Sequence, residues 1–245
     1  MSGETVFKAI ALPGKDQLEK LLTVLGPGHQ LLEHPDKDGN FPLMHACAKH
    51  DVAKVDLLIK AGANVNNAIP SGKTALMVAA SAGFTKACAS LLENGANLYS
   101  VDQNGTTVLH RAIDSKNLDT ITVIINQINM EKDQAIKEEE MNKEVGQHKW
   151  TPLYRAVIHD CNKDIIELLL KNGCNPECED KTTNTTVLQM AVIRGNILTT
   201  QLLINYGANP RALSKNGKTL QQLAASTTKQ DLMDYVDSLP GAPKM

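Results

Sequence analysis

The sequence predicts an all-α solenoid, a stack of helix pairs with β-hairpin loops projecting between them. Three observations carry this. A Thr-x-Leu-x-x-Ala signature starts at Thr74, Thr107, Thr151 and Thr186, with variants starting at Phe41 and Thr219. The six starts are 33, 33, 44, 35 and 33 residues apart, and self-similarity at such a period marks a quasi-one-dimensional stack. Aromatic residues make up only 3% of the 245 residues; thin layers of Leu, Ile, Val and Ala need few rings.

Laid over one another, the repeats justify each element in turn. The starting Thr offers a hydroxyl to cap the first helix. Leucine follows at the second position (Leu43, Leu76, Leu109, Leu153 and Leu188), pointing to the core. Alanine occupies the fifth position in all six copies: Ala46, Ala79, Ala112, Ala156, Ala191 and Ala224. Helices in tight contact need a small residue there. The second helix carries an apolar pair: Leu58-Ile59, Leu91-Leu92, Ile124-Ile125, Leu169-Leu170 and Leu203-Ile204. Gly62, Gly95, Gly173 and Gly207 then end it, as left-handed residues just past the helix do.

Thr151-Pro152-Leu153, Thr107-Val108-Leu109-His110-Arg111-Ala112, and the helix exits Gly62-Ala63-Asn64, Gly95-Ala96-Asn97 and Gly207-Ala208-Asn209 resemble the ankyrin repeat family over nearly the whole chain. The resemblance implies paired antiparallel helices, outward hairpins, and a concave face of hairpin tips and first helices that binds partners.

The expected organisation is a single domain over residues 1–240. Residues 1–35 form an N-terminal capping repeat, followed by repeats at 36–68, 69–101, 102–145, 146–178 and 179–212. Residues 213–239 form a C-terminal cap and 240–245 a tail, with Pro240-Gly241-Ala242-Pro243 ending the stack. The third repeat carries an 11-residue insertion, and Ile128 replaces its stop glycine. The acidic stretch 130–145 offers Asp133–Lys137 and Glu139–Lys143 at the favourable i,i+4 spacing. It reads as a helix continued past the stack into solvent, dispensable for folding.

The net charge of −2 argues against generic nucleic-acid or membrane binding. Five cysteines, an odd number at irregular spacing, do not make a disulfide framework. The N-terminus lacks the basic flank and length of a signal peptide, and no run approaches the roughly 18 apolar residues of a membrane span. The expectation is a cytoplasmic, or nuclear, monomer.

Chemistry-bearing constellations are sparse. Ser71-Gly72-Lys73-Thr74 and Asn216-Gly217-Lys218-Thr219 resemble the end of a phosphate-binding loop. The earlier glycine that motif needs is replaced by Asn67 and Ala212, so turn chemistry is favoured over nucleotide binding. Cys174 and Cys178, with Cys161 and His159 upstream, fall short of a zinc set; Cys174 fills an alanine slot and reads as a small buried hydrophobe. No nucleophile–base arrangement stands out, so neither catalysis nor a metal or cofactor is expected. An enzyme or nucleotide-binding protein on the same scaffold is the alternative. Within the resemblance, Asn66, eight residues after Leu58, is a candidate for asparagine hydroxylation.

Partner specificity should lie at positions the scaffold leaves open. The residue before each start includes Lys73 and Trp150; the fourth after it includes His45, Val78, Arg111, Arg155 and Met190. With Arg194 these are the candidate partner-binding residues. Trp150 is the lone tryptophan, and Trp and Arg are common interface anchors. The expected partner is a protein segment that is acidic and carries an apolar anchor.

Overall fold

A computed structural model describes residues 4–239; the expected ending at residues 240–243 lies outside them. The described residues hold seven α-helix pairs, one additional α-helix, a short 3-10 helix (Gln30–Glu33) and a two-stranded ribbon. They form two compact units that divide after Met130.

The first unit contains α1 (Glu4–Ala11) with α2 (Asp16–Leu25), α3 (Pro42–Ala48) with α4 (Val52–Lys60), α5 (Ala75–Ser81) with α6 (Thr85–Glu93), and α7 (Val108–Ser115) with α8 (Leu118–Asn129). Its first helices α1, α3, α5 and α7 pack in sequence, and its second helices do the same beside them. The second unit contains α9 (Gln134–Asn142), then α10 (Pro152–Ile158) with α11 (Lys163–Lys171), α12 (Val187–Ile193) with α13 (Ile197–Asn205), and α14 (Leu220–Ala225) with α15 (Gln230–Asp237). Here α10, α12 and α14 form the first-helix row, and α9 packs on α10.

The repeat chemistry behaves as the sequence predicts. The six column alanines are 0–1% exposed. Thr74, Thr107, Thr151, Thr186 and Thr219 each accept the backbone N–H three residues on and so cap their helices; Phe41 caps with no side-chain bond. Gly62, Gly95, Gly173 and Gly207 have φ of 81–96°. The turn between the paired helices also uses a left-handed residue, nine after each start: His50, Gly83, Lys116, Asp160, Gly195 and Thr228. Four of these six are not glycine, so composition hides the rule.

Neighbouring repeats are tied at the helix exit. In the first unit the Asn66 amide donates to Gly95 O at 3.0 Å and its oxygen accepts Asn97 N–H at 2.7 Å. Glu33 likewise accepts Asn64 N–H at 2.7 Å. The first pair is further held by Lys54, a buried ammonium that donates to Ile10 O and Leu12 O at 2.9 and 2.6 Å and pairs with Asp51 at 3.1 Å.

The insertion departs from expectation. Without its stop glycine, α8 runs for 12 residues where α4, α6, α11 and α13 run for 9. The chain then breaks, and α9 is a separate helix. Asp133 caps α9 through Ala135 N–H rather than pairing with Lys137; the Lys143–Glu139 pair forms, at 3.3 Å. Only the first part of the segment is solvated. Met141 and Val145 are buried, and Met141 O accepts from the Cys174 thiol at 3.0 Å. Asn142 donates to Gly173 O at 3.0 Å and accepts Asn175 N–H at 2.7 Å, the same two bonds Asn66 makes. The second half of the insertion therefore belongs to the packed structure rather than to a helix extended into solvent. Asn142→Ala should lower stability by about 1–2 kcal/mol, the cost of leaving two backbone groups without their partners. Glu138→Ala, on the exposed side, should stay within about 0.5 kcal/mol. Denaturant melts of the two variants check this.

Candidate functional surface

Three of the hairpins are each organised by one aspartate. Asp36 Oδ1 accepts the N–H groups of Asp38 and Asn40; Asp102 Oδ1 accepts those of Asn104 and Thr106; Asp180 Oδ1 accepts those of Thr182 and Thr183. The turn thus consumes one carboxylate oxygen. The second oxygen grips a side chain on the surface where partner residues were expected.

In the first unit that side chain is His45 for Asp36, at 2.6 Å from Nε2, with Phe7 packed edge-on against the His45 ring at 4.9 Å. For Asp102 it is Arg111, whose other terminal nitrogen lies 3.8 Å from Asp114. Arg111 is therefore not the open cation the sequence predicts, since two aspartates hold it. Burial pushes the Asp102 pKa up, but the bonds from Thr106, Arg111 and Asn104 outweigh it and hold the carboxyl below its usual range. Lys73 and Val78, both half-buried, line an open groove together with Ala48, Met77, Ser81, Ala82 and Arg111.

In the second unit the gripped group is Trp150. Its Nε1–H donates to Asp180 Oδ2 at 3.0 Å, and His148 Nδ1 lies 3.3 Å from the same oxygen. The indole stacks between the His148 ring at 5.0 Å and the Tyr154 ring at 5.9 Å. Two hairpins hold this stack in place. Trp150 exchanges both backbone bonds with Val145, at 3.0 and 3.1 Å, and His148 O accepts Lys181 N–H at 3.1 Å from the ribbon Glu179–Asp180/Thr185–Thr186. Trp150 is half-buried rather than fully exposed, while His148 remains open to solvent. Tyr154 is fully buried and its hydroxyl has no hydrogen-bond partner among the described residues. Arg155 and Met190 are half-buried and Arg194 is exposed. Arg111 belongs to the first unit and Trp150, Arg155, Met190 and Arg194 to the second, so each unit carries its own cluster. Sequence reasoning missed Asp36, Asp102, Asp180, His148 and Tyr154. A usable signal exists: an aspartate stands nine residues before both His45 and Arg111.

The remaining constellations resolve into structure. Gly72 sits in the hairpin turn at φ 80°, where a Cβ would come within 2.9 Å of Val101 O. Thr74 spends its hydroxyl on the helix cap, so the phosphate-loop look-alike is a turn. Cys47, Cys88 and Cys178 are buried thiols pushed up to about 12 by desolvation, and Cys174 is raised in the same way. Asn66 is exposed at the helix exit, with its amide engaged by the next repeat. No helix among the described residues is long and apolar enough to cross a membrane.

Known proteins share this pattern. Residues 7–102, 43–136, 99–180 and 161–238 match a family model described as ankyrin repeats in three copies. Human BCL-6 corepressor-like protein 1 is 34% identical over 98 residues, covering 38% of this chain; the chain spans 5% of that relative's length. Among solved structures, the human ASB11 ankyrin repeat domain superposes with a TM-score of 0.77 at 23% identity, over 98% of this chain and 99% of that one. The ankyrin repeat domain of Bcl-3 gives 0.74 at 20% identity, over 94% and 96%.

Burial raises the Asp180 pKa, but bonds from Thr182, Trp150 and the N–H groups of Thr182 and Thr183 outweigh it and hold the carboxyl well below the usual range. A depressed folded-state pKa contributes stability above the unfolded value, about 4, that is lost as pH falls towards the folded one. Asp180→Asn should therefore be less stable than the parent at pH 7, with the gap narrowing as pH falls from 5 to 3. Melts across that range measure it; a constant gap would show that the charge is not the source.

Proposed function

The chain belongs to the ankyrin repeat family, whose domains are generally protein–protein interaction modules, and on that premise we propose that it is a non-catalytic adaptor, scaffold or inhibitor. It grips a partner through the face made by its hairpins and first helices. The observation that carries this reading is Trp150. Asp180, His148 and the hairpin backbone fix its ring, yet the residue is only half-buried, and the same unit carries Arg155, Met190 and Arg194. A large ring held in one orientation loses little conformational entropy on binding, which is what makes an anchor effective. The basic residues Arg155 and Arg194 of this unit favour an acidic segment with an apolar anchor of its own. His45, Lys73, Val78 and Arg111 extend the same chemistry on the first unit, with His45 and Arg111 as fixed walls. A single copy suffices to present these residues, and buried reduced thiols suit a cytoplasmic or nuclear setting. Asn66 stays in the reading as a hydroxylation site; peptide mass spectra of protein from its native cell, with no oxygen added at Asn66, would remove it.

The test is partner affinity. Trp150→Ala should weaken binding by at least about 2 kcal/mol, and Arg155→Ala and Arg194→Ala should weaken it more at low salt than at high salt. Because Trp150 is half-buried, its variant should also melt earlier. Affinity unchanged at a temperature where the variant is fully folded would assign Trp150 to packing alone and defeat this reading.

A further inference from the structure

The indole of Trp150 lies between two rings. Tyr154, fully buried, stacks on it at 5.9 Å, and His148, open to solvent, stacks on it at 5.0 Å with the ring planes 22° apart. The indole keeps its place without His148: Asp180 Oδ2 holds Nε1, and two backbone bonds tie Trp150 to Val145. Of the two covering rings only His148 faces solvent, so it is the one a partner displaces to reach the ring face.

Hydrogen-bond accounting fixes the state of this cover. The Thr182 hydroxyl has one proton and donates it to Asp180 Oδ1 at 2.6 Å. Its oxygen is left to accept, and His148 Nδ1 lies 2.9 Å away, so the neutral imidazole carries its hydrogen on Nδ1. The lone pair is then on Nε2, which has no partner among the described residues. A proton added there leaves the existing bonds in place and makes the ring a cation. Two attractions strengthen at once: to the Asp180 carboxylate, 3.3 Å from Nδ1, and to the face of the indole.

The surrounding charges leave Asp180 as the counter-ion. On the ribbon, Lys181 pairs with Glu179 at 3.2 Å and with Glu144, from the hairpin that carries His148, at 3.9 Å. Lys149 of the same hairpin is exposed, and Lys215 of the following one donates to Thr182 O at 3.4 Å. On α10 the Tyr154 phenol is pushed up by burial and by Asp180 and stays neutral, while Arg194 of α12 acts on it in the opposite direction. Burial raises Asp180, but its hydrogen bonds outweigh that and keep it ionised wherever histidines titrate.

We propose that His148 is a proton-operated lid on the Trp150 face. The imidazolium clamps between Asp180 and the indole and keeps the ring covered; the neutral imidazole lifts more readily and gives way to a partner side chain. Imidazole changes charge between about pH 5 and pH 8, so the anchor opens across that span as pH rises. This rests on the reading of Trp150 as the partner anchor and adds what governs access to it.

Trp150 is the lone tryptophan, so its fluorescence reports this site alone. Acrylamide, an uncharged quencher, is the probe, and lifetime quenching of the whole chain measures how often it reaches the indole. The bimolecular quenching constant should fall at least about twofold from pH 8 to pH 5, because a cation on an exposed aromatic face changes an open-to-closed ratio a few-fold. His148→Asn places an amide N–H near the Nδ1 position but takes up no proton, and its constant should stay level over the same span. His148→Ala has no lid and should exceed the parent at both pH values. A parent constant that is flat, or that rises as pH falls, would overturn the lid. So would a pH dependence that survives in His148→Asn. Acrylamide stands in for the partner, so neither result touches the binding-module reading, which fails instead on the partner affinity of Trp150→Ala.

Discussion

The alanine column is the constraint on which the rest depends. A helix pair of six to twelve residues per helix cannot bury its apolar face alone, so it must lie against a neighbour. Inside each unit the first helices do so through Ala46, Ala79 and Ala112, or through Ala156, Ala191 and Ala224, all at most 1% exposed. A larger side chain at any of them would force the row apart and, with it, the leucines on either side; overpacking of this kind typically costs about 1–3 kcal/mol. Once the rows close, little else is free to vary: the Thr cap, the left-handed turn nine residues on, and the glycine exit all recur because the helices must begin and end at the same level.

That regularity sets the hairpins at a fixed step, and the hairpin aspartates then decide which surface groups remain available. Asp36, Asp102 and Asp180 use one oxygen for their own turn and the other for a side chain. His45, Arg111 and Trp150 are the recipients. A position variable in sequence is thus not the same as a group uncommitted in space. Arg111 and Lys73 occupy equally variable positions, yet one is held by two carboxylates and the other by none.

Most of the fold was legible from the sequence because the repeat states each requirement several times over. The caps at Thr74, Thr107, Thr151, Thr186 and Thr219, the alanines and the exit glycines were read from residue type alone, and each behaves as its chemistry requires. The left-handed turns were missed because His50, Lys116, Asp160 and Thr228 are not residues that announce a positive φ. The candidate surface was only half legible. Apart from Arg194, which caps the end of α12, the residues named there lie on the hairpins and first helices, but His45, Arg111 and Trp150 each pair with a hairpin aspartate, and a single sequence does not display that pairing directly. Trp150 was expected to be exposed because nothing next to it in sequence identifies Asp180, thirty residues later, as the acceptor of its N–H.

The insertion carries the same lesson into the backbone. Forty-four residues separate two starts where thirty-three suffice, and polarity alone suggested that the excess could be removed. What matters is which groups the following repeat requires. Gly173 O and Asn175 N–H need an amide at the helix exit, as Gly95 O and Asn97 N–H do in the first unit. Asn142 supplies it from the end of a helix, where Asn66 supplies it from a loop. The excess enters between Met130 and Asp133, where α8 ends and α9 is capped. Past Glu140 the chain is back in register: Met141 and Val145 are buried, and Met141 and Asn142 bond to the following repeat.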